Sequence, residues 1–346
     1  MDEPRGIKVE SVSKWMAREV PGAQAPFSFE LIAGGRSNLT YRVTGADGKS
    51  FALRRPPTSH VLPTAHDMTR EHRIIAALHP TGIPVPEPYA LCIDEAVNER
   101  PFYVMEFVEG HILRDRPSAE ASFTESIRAS IGLNLADTLA QLHNVDVDAV
   151  GLGELGRKEG YIERQLKRWM GQFDQMQVEG AKRLDIVAEV GKALAAAVPV
   201  QQASTVVHGD YRLDNTVLND EGKVTAILDW EICTLGDPLA DLGLLLVYWA
   251  EAGDGDEVAL LGVAPTQAEG FTTRAEILER YASQSSLDLS RISYYQAFGY
   301  WKLACILQGV YARYLAGASA GDTNSVEFFP IHIETLARTA ASHLEA

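Results

Sequence analysis

Val206-Val-His-Gly-Asp-Tyr-Arg-Leu-Asp-Asn215, followed by Ala226-Ile-Leu-Asp-Trp230, is the stretch from which the rest of the chain can be read. An apolar run, Thr205 to Val207, leads into the first segment, and another, Val224 to Leu228, leads into the second. Short runs rich in β-branched residues predict buried strands that deliver polar groups at their ends. Between them, Asn219-Asp-Glu-Gly222 is made of residues that favour tight turns. The pattern predicts a hairpin-like pair with Asp210 before it, Asn215 at its entry and Asp229 at its exit.

All three are oxygen-bearing side chains. Asn215 and Asp229 offer hard oxygens of the kind Mg²⁺ accepts, where protein supplies one or two ligands and phosphates and water the rest. Asp210 has no ligand partner beside it in sequence and suits the base that orients a hydroxyl and takes its proton. Together they suit metal-assisted phosphoryl transfer, in which charge must be neutralised and the attacking oxygen aligned. Taken singly, His-Gly-Asp is an ordinary turn and Ile-Leu-Asp-Trp an ordinary strand end. The order and spacing of the two segments carry the reading.

His208-Gly-Asp210 with Asn215, then Asp229-Trp230, resembles the catalytic and metal loops of the aminoglycoside phosphotransferase family, which has the protein-kinase-like fold and includes choline kinases. Gly209 stands where protein kinases carry an arginine. The chain after Asp229, Glu231-Ile-Cys-Thr-Leu-Gly-Asp-Pro-Leu-Ala-Asp-Leu-Gly243, has no Ala-Pro-Glu-type end to an activation loop. Both features resemble the small-molecule branch. The resemblance implies Asp210 as catalytic base, Asn215 and Asp229 as metal ligands, Mg²⁺ as the metal and ATP, with GTP as an alternative, as the phosphoryl donor.

Further expectations follow upstream. Ile32-Ala-Gly-Gly-Arg-Ser-Asn-Leu-Thr-Tyr-Arg-Val43 reads as strand, glycine turn and strand, and Gly34, Gly35, Ser37 and Asn38 are candidate phosphate contacts. Ser50 to Arg55 is the next strand, with Asp47-Gly48 as its turn. The family's phosphate-binding lysine aligns with Arg54, a departure that keeps the charge but brings a larger, planar group. Met68 to Leu78 has apolar residues at helical spacing, and Glu71 on it is expected to pair with Arg54. Pro101 to Gly110 reads as a buried strand resembling the hinge between kinase lobes. There Met105 would lie behind the adenine, and the main chain of Glu106 and Val108 would bind its edge. The same resemblance makes Asp241 a buried acid that accepts bonds from the catalytic-loop backbone. His143 reads as a packing or capping histidine at a helix end.

With 346 residues, 46% hydrophobic and 23% charged, the chain has room for two lobes. The expected fold is α+β and protein-kinase-like, with a small antiparallel-sheet lobe over 1–108 and a mainly helical lobe over 109–346. Three scattered cysteines and an acidic start without an apolar core suit a cytoplasmic protein. The nine histidines show no metal spacing. The longest apolar run, Leu242 to Ala250, is too short to span a bilayer. Lys302, Gln308 and Arg313 interrupt Trp301 to Ala318, which therefore reads as a buried helix. A net charge of −16 argues against nucleic acid or an anionic membrane as partner. The expected partner is a small hydroxylated molecule, and the oligomeric state stays open. The later helices, with Tyr294-Tyr-Gln-Ala-Phe-Gly-Tyr-Trp-Lys-Leu-Ala304, resemble most the kinase domains fused to acyl-CoA dehydrogenases. That implies a hydroxyacyl compound or its CoA ester as acceptor. Two alternatives stay open: an antibiotic kinase of the aminoglycoside type, and a non-catalytic nucleotide-binding protein, for which Arg54 in place of lysine would speak.

Overall fold

The computed structural model describes residues 4–33, 38–58, 67–175, 184–251, 253–254, 264–315 and 328–345. Its N-terminal part is a five-stranded sheet with helices packed on it. Strands β1 (Ser28–Ala33), β2 (Leu39–Thr44), β3 (Ser50–Arg55), β4 (Pro88–Cys92) and β5 (Phe102–Glu106) lie in the order β1-β2-β3-β5-β4, and every pairing is antiparallel.

Side chains alternate across a strand, and the alternation decides the fate of the two arginines that end β3. Phe51 and Leu53 join Leu39, Tyr41, Val43, Phe102 and Val104 in a core closed by helix α1 (Val9–Glu19), which contributes Val12, Trp15 and Met16. Burial of such side chains contributes about 1.5–3 kcal/mol each. Arg55 shares that face, and its guanidinium donates to the carbonyls of Gly6 and Pro56. Ala52 and Arg54 face the other way, toward helix α2 (Met68–Leu78). That helix starts where Asp67 caps it by accepting from the N–H groups of Thr69 and Arg70. Its buried stripe runs Glu71, Ile74, Ile75 and Leu78, which is the expected helical spacing with a carboxylate included.

The strand expected over Pro101–Gly110 stops at Glu106. Beyond it the chain leaves the sheet, and His111 pairs instead with Leu218, exchanging both backbone bonds at 2.7 and 2.9 Å. The linker is thereby fastened to the next lobe.

That lobe is mainly helical. It comprises α3 (Arg116–Ser122), α4 (Glu125–His143), α5 (Tyr161–Gln175), α6 (Asp185–Ala196), α7 (Leu239–Tyr248), α8 (Arg274–Gln284), α9 (Ile292–Leu315) and α10 (Phe329–Glu345). Four short strands interrupt the helices. The hairpin of β7 (Thr216–Leu218) and β8 (Val224–Ile227) is the one expected, closed by Asn219–Gly222. The run Thr205–Val207 forms β6, but its partner is β9 (Thr234–Gly236), a strand that sequence reasoning did not anticipate. Long apolar stretches of α7 and α9 pack on each other at the centre of the lobe. Among the described residues no helix is long and apolar enough to cross a membrane.

Candidate active site

Arg54 occupies the middle strand of the sheet, flanked on the same face by Thr40 of β2 and Tyr103 of β5. Its Nε donates to Glu71 Oε2 at 2.8 Å, one terminal nitrogen donates to Thr40 Oγ1 at 3.3 Å and the other donates to Asp229 Oδ1. Glu231 Oε2 lies 3.7 Å from that last nitrogen. The Tyr103 hydroxyl donates to Glu71 Oε2 at 3.1 Å. Glu71, 1% exposed, is thus a buried carboxylate with partners, and the expected pair with Arg54 is present. Burial works against the Arg54 cation, but Glu71 and the neighbouring carboxylates outweigh it and hold the proton more tightly.

Three carboxylates around one guanidinium leave surplus negative charge. Burial first, and Asp229 beside it second, push Glu231 up to about 7. Asn38, a candidate phosphate contact, is 2% exposed, and its Nδ2 donates to Glu71 Oε1 at 2.7 Å and to Glu231 Oε2 at 3.0 Å. Gly34, Gly35 and Ser37 lie outside the described residues.

The Asp210 loop follows β6. His208 and Gly209 turn the chain there, and Gly209 has φ +85°, with room for a Cβ limited by Ile232 at 3.1 Å. Both demands favour glycine. Asp241, fully buried on α7, accepts the backbone N–H of His208 at 2.6 Å and of Gly209 at 2.8 Å. His143 Nε2 lies 3.6 Å from the same carboxylate, and its Nδ1 bonds the Tyr281 hydroxyl at 2.8 Å. Burial alone would raise Asp241, but His143, His208 and the Gly209 N–H together lower it. His208 Nε2 donates to Leu228 O at 2.8 Å and so ties the loop to the end of β8.

Asn215 and Asp229 meet because the hairpin brings them together. Thr216 faces Ile227 in the ladder, and the Leu228 N–H donates to Asn215 O at 2.8 Å. Asn215 Nδ2 donates to the backbone oxygen and to Oδ2 of Asp210, at 2.8 and 3.0 Å. Asp229 sits at φ +64°, ψ +63°, a left-handed conformation that aspartate tolerates better than most residues. Among the described residues no three His, Cys, Asp or Glu side chains form a metal cage. The Asp229 carboxylate and the Asn215 carboxamide oxygen are hard donors of the kind that fits Mg²⁺.

Two clefts flank these residues. The first has a volume of about 390 Å³ and lies between the sheet and the β7–β8 hairpin. Ala52, Met105, Val217 and Ile227 give it an apolar slot, Glu106 and Val108 stand on the linker side, and Arg54, Asn215 and Asp229 close the polar end. The second, of about 410 Å³, opens on the other side of Asp210. Tyr161, Trp169, Tyr248 and Leu303 wall it, and among the described residues its charged groups are Arg168, Lys302 and Arg313 against a single carboxylate, Asp210. Arg212 braces Asp210 from the side, with Nε 3.3 Å from Oδ2 and its guanidinium 4.7 Å above the Tyr248 ring.

A two-lobed fold with a buried Arg–Glu pair, an Asp–Asn–Asp constellation and two clefts, one lined by Asn215 and Asp229 and the other by Asp210, is that of a kinase-like phosphotransferase. The chain belongs to the phosphotransferase enzyme family APH, whose model matches residues 28–277. Acyl-CoA dehydrogenase family member 11 of Gallus gallus is 35% identical over 328 residues, covering 91% of this chain and 41% of that protein. The chain therefore spans less than half the length of this curated relative. A crystal structure from Ralstonia eutropha, provisionally named an aminoglycoside phosphotransferase, superposes with a TM-score of 0.79 at 30% identity, covering 96% of this chain and 98% of that one. An amicoumacin kinase solved with AMP-PNP and Ca²⁺ shares the fold, with a TM-score of 0.61 at 16% identity over 95% of this chain and 93% of that one.

Glu231, Arg212 and Lys302 escaped sequence reasoning. Glu231 lies two residues after Asp229 and was legible only as part of a loop. Lys302 had a signal: a lone cation inside an apolar helical run needs a partner.

Proposed function

We propose that the protein transfers the γ-phosphoryl group of ATP, taken as its Mg²⁺ complex, to a hydroxyl of a small anionic acceptor, a hydroxyacyl compound or its CoA ester. The observation that carries the acceptor class is the second cleft. Beside Asp210, its described lining holds three cations and no further carboxylate. A polycationic aminoglycoside would meet repulsion there, whereas a carboxylate or a phosphate-bearing tail would meet complementary charge. The aromatic and aliphatic walls suit an acyl chain.

In this reading the 1–108 lobe and the linker hold the nucleotide. Met105 packs behind the base, the main chain of Glu106 and Val108 bonds its edge, and Arg54 meets the phosphates. Asn215 and Asp229 would hold Mg²⁺, which when bound neutralises phosphate charge. Asp210 orients the acceptor hydroxyl and takes its proton, held in place by Asn215 and Arg212. A screen of ADP release across hydroxyacyl-CoAs, aminoglycosides and amino alcohols, with ATP and GTP as donors, tests the proposal. Acceptor-dependent release with hydroxyacyl-CoAs alone is the expected result. Release driven by aminoglycosides would overturn the acceptor class.

A further inference from the structure

Lys302 sits on α9 at the floor of the acceptor cleft, 9% exposed. Its Nζ donates to the Gly209 carbonyl at 2.8 Å and lies 5.9 Å from the centroid of the Trp169 ring. An ammonium has three donors, and a buried one is costly unless it is paired. Gly209 immediately precedes Asp210, so the bond fixes the carbonyl next to the base. Asp241 holds the N–H groups of the same turn from the opposite helix. The loop is therefore gripped twice, its donors by an acid on α7 and its acceptor by a cation on α9.

We propose that Lys302 is a positioning residue for the transfer: its ammonium ties the Gly209 carbonyl so that Asp210 faces the acceptor cleft, and its positive charge stands in the same cleft as the base. The inference rests on the reading of Asp210 as base. The step itself is balanced without Lys302 changing state. The acceptor O–H proton passes to an Asp210 carboxylate oxygen, the hydroxyl oxygen bonds to the γ-phosphorus, and the β–γ bridging oxygen leaves with its electron pair on ADP. Lys302 stays protonated throughout.

The charged and titratable groups around it come from four elements: Asp210 on the loop, Arg168 and Tyr161 on α5, Asp241 and Tyr248 on α7, and Cys305 and Arg313 on its own helix α9. Burial lowers the proton affinity of Lys302, Arg168 lowers it further, and Asp210 and Asp241 oppose them. Two consequences follow. Turnover declines on the alkaline side below the usual lysine range, where Lys302 loses its proton. The Lys302 titration also depends on Asp210.

Lysine-labelled protein followed by NMR tests the second consequence without any acceptor, the Lys302 signal being the one that Lys302→Met removes. In Asp210→Asn the Lys302 titration is expected to move to lower pH by about one unit, as for loss of an opposite charge a few ångströms away. An unchanged titration overturns the inference and leaves Asp210 as base untouched. ADP release from Mg-ATP with 3-hydroxybutyryl-CoA, and with water as the only acceptor, tests the first. Lys302→Met is expected to lower kcat about 10²-fold, the scale of a misplaced reacting group, and to abolish the alkaline limb with Mg-ATP affinity unchanged. A parallel loss of Mg-ATP affinity and melting temperature with the limb retained would show Lys302 to be structural only. Wild-type turnover in Asp210→Asn would instead remove the base, a separate outcome.

Discussion

Replacing Asp241 by alanine is expected to loosen the Asp210 loop before it touches any substrate. The carboxylate accepts two backbone N–H groups, at 2.6 and 2.8 Å, with no exposure to solvent. Each bond to a charged group contributes about 1.5–3 kcal/mol, and an orphaned buried donor costs about 1–3 kcal/mol. Removing one side of a buried charged network falls at about 3–5 kcal/mol, because the two losses overlap. At about 2.1 cal/mol/K per residue, a chain of 346 residues unfolds with an entropy of roughly 0.7 kcal/mol/K, so the melting temperature should fall by roughly 4–7 °C. Asp241→Asn keeps one acceptor and should fall by less. The sign in pH follows from the lowered proton affinity of Asp241. Its stabilisation is present above the unfolded-state value and is lost as pH falls through the folded one. Calorimetric melts from neutral to acid pH should therefore converge for wild type and Asp241→Ala at the acid end. Hydrogen exchange should find the His208 and Gly209 amides unprotected in the variant. Equal melting temperatures at neutral pH, with those amides still protected, would refute the reasoning.

The remaining predictions concern the charge cluster at Arg54. Asp229→Ala should weaken Mg-nucleotide binding with the fold intact, and equal Mg-ATP affinity by calorimetric titration would remove Asp229 from the metal site. Arg54→Ala should weaken nucleotide binding more than Arg55→Ala, since only Arg54 faces the cleft; the reverse order in fluorescence titrations would contradict the strand register. Arg54→Lys should keep the pair with Glu71 while releasing Asp229, so half-saturation with Mg²⁺ should come at a lower concentration, and a higher requirement would argue otherwise. Glu231, pushed up to about 7, favours the folded state most below the ordinary glutamate range, and that contribution is lost as pH rises through about 7. Glu231→Gln should accordingly be more stable than wild type at pH 8 by about 1–2 kcal/mol, discounted for partial exposure, with the gap closing toward pH 5.

Period and turn chemistry made much of this legible. Two-residue alternation along Ser50–Arg55 separates Arg54 from Arg55, and the spacing of Ile74, Ile75 and Leu78 defines α2 with Glu71 on its buried stripe. The β7–β8 hairpin could be read because its turn residues are local. The pairing of Val206 with Leu235 could not, since nothing in a three-residue apolar run names a partner almost thirty positions away. For Asn38 the residue was visible but not its direction: hydrogen bonds to Glu71 and Glu231 settle where a carboxamide points, and Glu231 is 193 positions away. Lys302 read as an interruption of an apolar helix, which located the cation but gave no hint that a carbonyl beside Asp210 would receive it.

Arg54 joins a strand of one lobe to Asp229 on the other, and Asn38 adds a second tie to Glu231. An incoming triphosphate must compete with Asp229 for that guanidinium. A metal-free nucleotide would strip the carboxylate of its counter-charge and offer nothing in return. On the proposed function, a metal-loaded one would exchange partners, phosphate taking the arginine while the cation takes Asp229, and the local charge balance would be preserved. On that reading the cleft is a coincidence gate, opened at low cost only by nucleotide and divalent ion arriving together.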